Sequence, residues 1–106
     1  MRLYHNPRCS KSRQALNLLS ERGIEFEEFR YLDNGVHPDD IELLSTLDGI
    51  IRFSDLDSET DIDFEDIKAV AELISANPRI LQRPVLISNG VAVIGRPPEN
   101  ILTLLP

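Results

Sequence analysis

The sequence has a single cysteine, Cys9, so no internal disulfide can form and the chain is not a small scaffold held by cross-links. No apolar run approaches the roughly 18 residues that cross a bilayer. The N-terminus, Met1-Arg2-Leu3-Tyr4-His5-Asn6-Pro7, lacks the apolar stretch of a secretory signal. These absences together point to the reducing cytoplasm. A dithiol Cys-x-x-Cys centre is excluded by Ser12, and a Cys-x5-Arg phosphatase loop by Ala15. One cysteine and two histidines do not make a metal site, and there is no glycine-rich nucleotide loop. Internal repeats, linkers and low-complexity tracts are also missing. The net charge of −7 argues against a general nucleic-acid binder.

What is present fits one domain over residues 1–106, with a hydrophobic fraction of 42%, enough for a modest core. The charges are unevenly distributed. Residues 1–20 carry Arg2, Arg8, Lys11 and Arg13 and no acid; residues 73–98 carry Arg79, Arg83 and Arg96 and no acid. The stretch between them, 21–72, holds 17 of the 18 acids. Two purely basic segments in an acidic chain suggest a local anion site if they meet in space, and chance clustering if they do not.

The periodicity predicts a short strand over 2–5, stopped by Asn6-Pro7, and a helix over 10–22 with Ala15, Leu16, Leu18 and Leu19 on its apolar face. A second strand is expected over 24–31, its phase slip at Glu27-Glu28 suiting a bulge or a sheet edge. Pro38 suits the first turn of a helix running to Leu47, with Ile41, Leu44 and Leu47 as its buried stripe. The acidic segment 55–66 is the least readable. Asp63 is the expected cap of a helix carrying Ile67, Val70, Ala71 and Ile74 at i, i+3, i+4 and i+7, and Asn77-Pro78 ends it. Then Val85-Leu86-Ile87-Ser88, Asn89-Gly90 and Val91-Ala92-Val93-Ile94 read as a hairpin with a two-residue turn, followed by a short helix over 99–104. The order is a βαβ unit, further helices, then ββα. That layout matches a thioredoxin-like α/β sandwich on a mixed four-stranded sheet.

Cys9 falls in the loop between the first strand and the first helix. Unpaired N–H groups at a helix N-terminus, and its positive dipole end, favour thiolate over thiol. His5, Arg8, Lys11 and Arg13 are near in sequence, and Ser10 and Ser12 can donate hydrogen bonds to the sulfur. The plainer alternative, a buried structural cysteine, sits badly with flanks that are mostly polar or charged. His5 either orients or acidifies Cys9, or merely caps the strand end.

The segment Tyr4-His5-Asn6-Pro7-Arg8-Cys9-Ser10-Lys11-Ser12-Arg13 resembles the active-site signature of the glutaredoxin-coupled arsenate reductases. Further matches lie in Asn77-Pro78, in Ile80-Leu81-Gln82-Arg83-Pro84-Val85-Leu86 and in Ile94-Gly95-Arg96-Pro97-Pro98-Glu99, all in the right order. The resemblance implies a thioredoxin-like fold, with Cys9 as nucleophile and Arg83 and Arg96 holding the oxyanion. By the same resemblance His5 and Ser12 lower the cysteine's pKa, and Pro84 takes the position of a cis-proline facing it. Arg13 lies in the signature and is a further candidate for the anion. The family's third anion-binding arginine comes from the region 49–66, which is shorter here and strongly acidic; Arg52 is its only candidate.

Arsenate reduction with glutathione as co-substrate and glutaredoxin as partner is therefore the leading expectation, by a monomer with no bound cofactor or metal. Two alternatives remain open. Cys9 with Ser12 would also suit a monothiol deglutathionylase. A non-catalytic module would instead bind a protein through the acidic segment 55–66. A related branch of regulators binds RNA polymerase, but its members usually carry Cys-x-x-Cys where this chain has Ser12.

Overall fold

A computed structural model of the chain describes residues 1–105. Four strands form one mixed sheet in the order β2-β1-β3-β4. They are β1 (Arg2–Tyr4), β2 (Glu27–Phe29), β3 (Val85–Ser88) and β4 (Val91–Ile94). β1 runs parallel to β2, with Leu3 opposite Glu28, and antiparallel to β3, with Leu3 opposite Leu86. The parallel pair is bridged by α1 (Ser10–Glu21), as a βαβ crossover requires. The other helices are α2 (Tyr31–Asn34), α3 (Ile41–Thr46) and α4 (Ile67–Ala76). A 3-10 helix, Pro98–Leu104, closes the ββα unit. The fold is the thioredoxin-like sandwich expected from the sequence.

Side chains on a strand alternate between faces, and the two cores follow that alternation. Leu3 and Leu86 bury with Ala15 and Leu19 of α1 and with Ile101, all essentially inaccessible to solvent. Tyr4, Val85 and Ile87 point the other way, into a larger cluster with Tyr31, Leu44, Val70, Ile74 and Ile80. Each fully buried large apolar side chain contributes about 1.5–3 kcal/mol to folding. Asp40, also buried, is held by the Tyr4 hydroxyl at 2.7 Å and by Arg2 Nη1 at 2.7 Å. Burial and the bond to this carboxylate both push the Tyr4 phenol well above its usual range.

The hairpin has the expected bounds. Asn89 (φ 52°) and Gly90 (φ 76°) both take positive φ, as a type I′ turn demands. Other expectations need correction. The second strand is confined to Glu27–Phe29 at the sheet edge, because Ile24 and Phe26 pack against the smaller core before pairing begins and Tyr31 starts α2. The helix expected from Pro38 splits into a 3-10 turn (Pro38–Asp40) and α3. The cap of α4 is Asp66, whose carboxylate accepts from the N–H groups of Lys68 and Ala69. Asp63 instead caps the preceding turn, accepting from Glu65 N at 2.9 Å. Ile67 remains 49% exposed, so the buried stripe of α4 begins at Val70. The last helix is 3-10 and starts one residue early, at Pro98.

Candidate active site

The strand ends in a way that sets Cys9 on the open end of α1. His5 N still donates to Phe29 O at 2.9 Å, the last bond of the parallel ladder. Asn6 then turns the chain: its Oδ1 accepts from Arg8 N at 3.0 Å, and its carbonyl accepts from Cys9 N at 3.0 Å. Cys9 is thereby the N-cap of α1, in extended conformation (φ −93°, ψ 123°), and its carbonyl accepts from Arg13 N at 3.0 Å. No side chain caps the helix, so the sulfur faces its free N–H groups.

Partial burial pushes the Cys9 thiol up, but the backbone N–H groups of Ser12 and Lys11 and the Arg96 guanidinium outweigh it. The balance holds Cys9 below the ordinary thiol value. Arg96 Nη1 stands 4.0 Å from Sγ and is fixed by donating to Arg83 O at 2.9 Å.

The side chains of His5 and Ser12 act behind the sulfur rather than on it. His5 Nδ1 and Ser12 Oγ are joined at 2.7 Å, both residues buried, and Asn6 N donates to the same oxygen at 2.9 Å. The Ser12 hydroxyl is thus committed to His5 and Asn6, and it is the backbone of Ser12 that faces the thiolate, a correction to the expectation of a hydroxyl donor. Burial lowers the His5 pKa, with Arg30 and Arg13 adding to it against Glu28, and so favours the neutral imidazole. The ring bonds Ser12 rather than the sulfur, and so fixes the turn that presents Cys9.

The two basic segments do meet. Cys9, Arg8, Lys11, Arg79, Arg83 and Arg96 line one cleft of about 1030 Å³, joined from the acidic stretch by Arg52. Pro84, next in sequence to Arg83, is buried, and the Arg83-Pro84 peptide is cis. Arg13 is not among the lining residues. Its guanidinium turns outward to bond Pro7 O at 2.9 Å, so its part is to hold the loop. Among the described residues no three His, Cys, Asp or Glu side chains converge to hold a metal.

The cleft also holds residues that sequence reasoning did not single out. Asn6 shapes the loop and lines the cavity. Asp55 accepts from Arg83 Nη1 at 3.0 Å and sits 3.6 Å from Arg52 Nε. The Tyr31 hydroxyl and Arg83 Nε are buried without a hydrogen-bond partner. Asn6 was within reach of sequence reasoning, since Asn-Pro at a strand end is a turn signal. Nothing local marks Asp55 among seven acids over 55–66.

Comparison with known proteins gives a consistent result. The model of the ArsC family matches residues 4–104. An arsenate reductase of Neisseria meningitidis serogroup A is 41% identical over 116 aligned residues, covering 99% of this chain and 97% of that protein. The solved structure of an arsenate reductase from Vibrio cholerae superposes with a TM-score of 0.78 at 30% identity, covering 99% of this chain and 98% of its own. A global transcriptional regulator, Spx, of Listeria innocua is 30% identical over 112 aligned residues, covering 98% of this chain and 86% of that protein.

Proposed function

This chain belongs to the ArsC family, and on that premise we propose that it reduces arsenate to arsenite, using glutathione and glutaredoxin, with Cys9 as the nucleophile. The observation that carries the reading is the cleft itself: a thiol favoured as thiolate, 4.0 Å from Arg96, in one cavity with Arg83 and Arg52. Guanidinium forks suit the oxygens of a tetrahedral oxyanion, and the free N–H groups of α1 suit its developing charge.

The Cys9 thiolate attacks arsenic as one arsenate hydroxyl takes up a proton and leaves as water. Glutathione then attacks the Cys9 sulfur of the adduct. The S–As bond breaks with its electron pair on arsenic, which departs as arsenite, and Cys9 is left in a mixed disulfide. With one cysteine in the chain, an external thiol must complete the reduction. Glutaredoxin removes the glutathione by thiol–disulfide exchange and restores Cys9. That cycle needs a glutathione-rich reducing compartment, so we place the chain in the cytoplasm, acting as a monomer.

The test is NADPH consumption with arsenate, glutathione, glutaredoxin and glutathione reductase, with Cys9→Ser as control. Turnover requiring arsenate, glutaredoxin and Cys9 together supports the proposal; any arsenate turnover by Cys9→Ser overturns it. Turnover of glutathione mixed disulfides without arsenate turnover makes the chain a monothiol reductase.

The similarity to Spx favours a second reading, a regulator that binds a protein partner. Phe53 and Phe64 are exposed and pack edge-on, with ring centroids 5.1 Å apart, beside and within the acidic segment. That reading predicts no turnover with either substrate and a partner lost on neutralising the acids of 55–66.

A further inference from the structure

The arginines of the cleft already hold an anion, and it belongs to the chain. A single carboxylate oxygen, Asp55 Oδ2, lies 3.0 Å from Arg83 Nη1 and 3.6 Å from Arg52 Nε. It sits between two guanidinium groups of the cleft, so an oxyanion that engages both meets its charge there. Among the described residues no other carboxylate pairs with an arginine of this cleft. Asp57 also lines the cavity, but its carboxylate accepts from Glu59 N instead.

Asp55 is not the only acceptor at Arg83. Nη1 also lies 3.3 Å from Leu81 O and 3.4 Å from Arg79 O, backbone oxygens that remain when the carboxylate moves away. Asp55 closes a three-residue 3-10 turn, Phe53–Asp55, in which no residue is buried. Its side chain is 28% exposed, whereas that of Arg83 is 14% exposed. The carboxylate can therefore leave the arginine without opening the core.

We propose that Asp55 is a built-in competitor of the substrate oxyanion: its carboxylate holds the arginine subsite beside Cys9 until a ligand displaces it. The inference rests on the reading of the cleft as an oxyanion site and adds what limits occupancy there. Each incoming oxyanion must give up part of its attraction to Arg83 and Arg52 to the resident charge. Inert oxyanions such as phosphate and sulfate have nothing further to gain. Arsenate gains the S–As bond to Cys9 as a protonated hydroxyl leaves as water. Asp55 thus lowers the occupancy of the cleft by every oxyanion alike, and covalent capture by Cys9, not Asp55, is what sets arsenate apart.

The test uses sulfate as an inert probe on the full chain, titrated at fixed low ionic strength and followed by backbone amide shifts. Wild type, Asp55→Asn and Asp57→Asn are compared. Asparagine keeps a hydrogen-bond acceptor for Arg83 and removes only the charge. Asp55→Asn binds sulfate about tenfold more tightly, the scale of one partly exposed charge a few ångströms from the ligand, while Asp57→Asn stays within about twofold of wild type. With arsenate as substrate, Asp55→Asn lowers KM, and inorganic phosphate inhibits it more strongly than it inhibits wild type. Unchanged or weaker sulfate binding by Asp55→Asn overturns the proposal. So does an equal gain in Asp57→Asn, which reports net charge alone, and so does a lack of sulfate binding in all three proteins. If the sulfate pattern holds while none of the three turns over arsenate, the arsenate reading fails and the competitor role stands.

Discussion

Arg96→Ala tests how the cleft makes its nucleophile. The guanidinium stands 4.0 Å from the sulfur, and two unit charges at about 4 Å interact by about 1 kcal/mol in bulk water and about 4 kcal/mol at an effective dielectric of 20. Arg96 is an exposed residue, so solvent screening places its contribution near the lower limit. One pKa unit corresponds to about 1.36 kcal/mol, and Arg96→Ala therefore raises the Cys9 pKa by about one unit. The assay is the pH dependence of iodoacetamide alkylation, read with the ultraviolet absorbance of the thiolate. On the limb where thiolate is scarce, the alkylation rate falls about tenfold for each unit. Arg96→Lys retains the charge and keeps most of the shift, but loses the planar fork and binds oxyanions less well. A titration midpoint for Arg96→Ala that coincides with wild type refutes the reasoning. The lowered pKa then belongs to the N–H groups of Ser12 and Lys11 alone.

Three further outcomes follow from the same geometry. Ser12→Ala leaves the buried Asn6 N–H without its acceptor and His5 without its partner; it lowers stability by about 1–3 kcal/mol in urea unfolding and moves the Cys9 titration less than Arg96→Ala does. A Cβ at Gly95 would lie 2.8 Å from Pro84 Cγ and 3.0 Å from Ile101 Cγ2, so Gly95→Ala lowers stability by about 1–3 kcal/mol, and an unchanged melting temperature contradicts the packing. Because folding lowers the Cys9 pKa, the unfolded chain binds more protons between the folded value and about 8.5, so stability rises with pH across that window. Cys9→Ser flattens that rise, which urea unfolding at several pH values measures; parallel curves for the two proteins sink the assignment.

The elements most legible from sequence were those whose chemistry is local. Asn89-Gly90 supplies positive φ at two successive positions whatever surrounds it, and the strands on either side carry their own alternation. Cys9 at a helix N-terminus was legible for the same reason, since Asn6-Pro7 ends one element and the apolar period of the next begins at Ala15. The misreadings arose where several residues offer the same local signal. Asp63 and Asp66 are equivalent as caps by type, and only the packing of Val70 and Ile74 against α3 decides between them. Ile67 fits the period but lies at the outer end of the helix, past the core. Arg13 shares a segment with Cys9, yet it points away from the cleft to a carbonyl of its own loop. Asp55 was invisible because its meaning depends on Arg83, 28 residues away along the chain.

The hairpin has a bearing on the cleft that its distance from the cleft conceals. Val85 pairs with Ile94, and Gly95 N bonds Pro84 O at 2.8 Å, so the ladder carries on to the residues immediately beside Arg83 and Arg96. The two arginines are the tips of a pair of tweezers whose pivot is the Asn89-Gly90 turn at the opposite end. Strand side chains alternate with a period of two, so a slip of one residue at the pivot would turn one tip to the wrong face. A turn substitution that shifts the register, though it touches no ligand, therefore misaligns the grip.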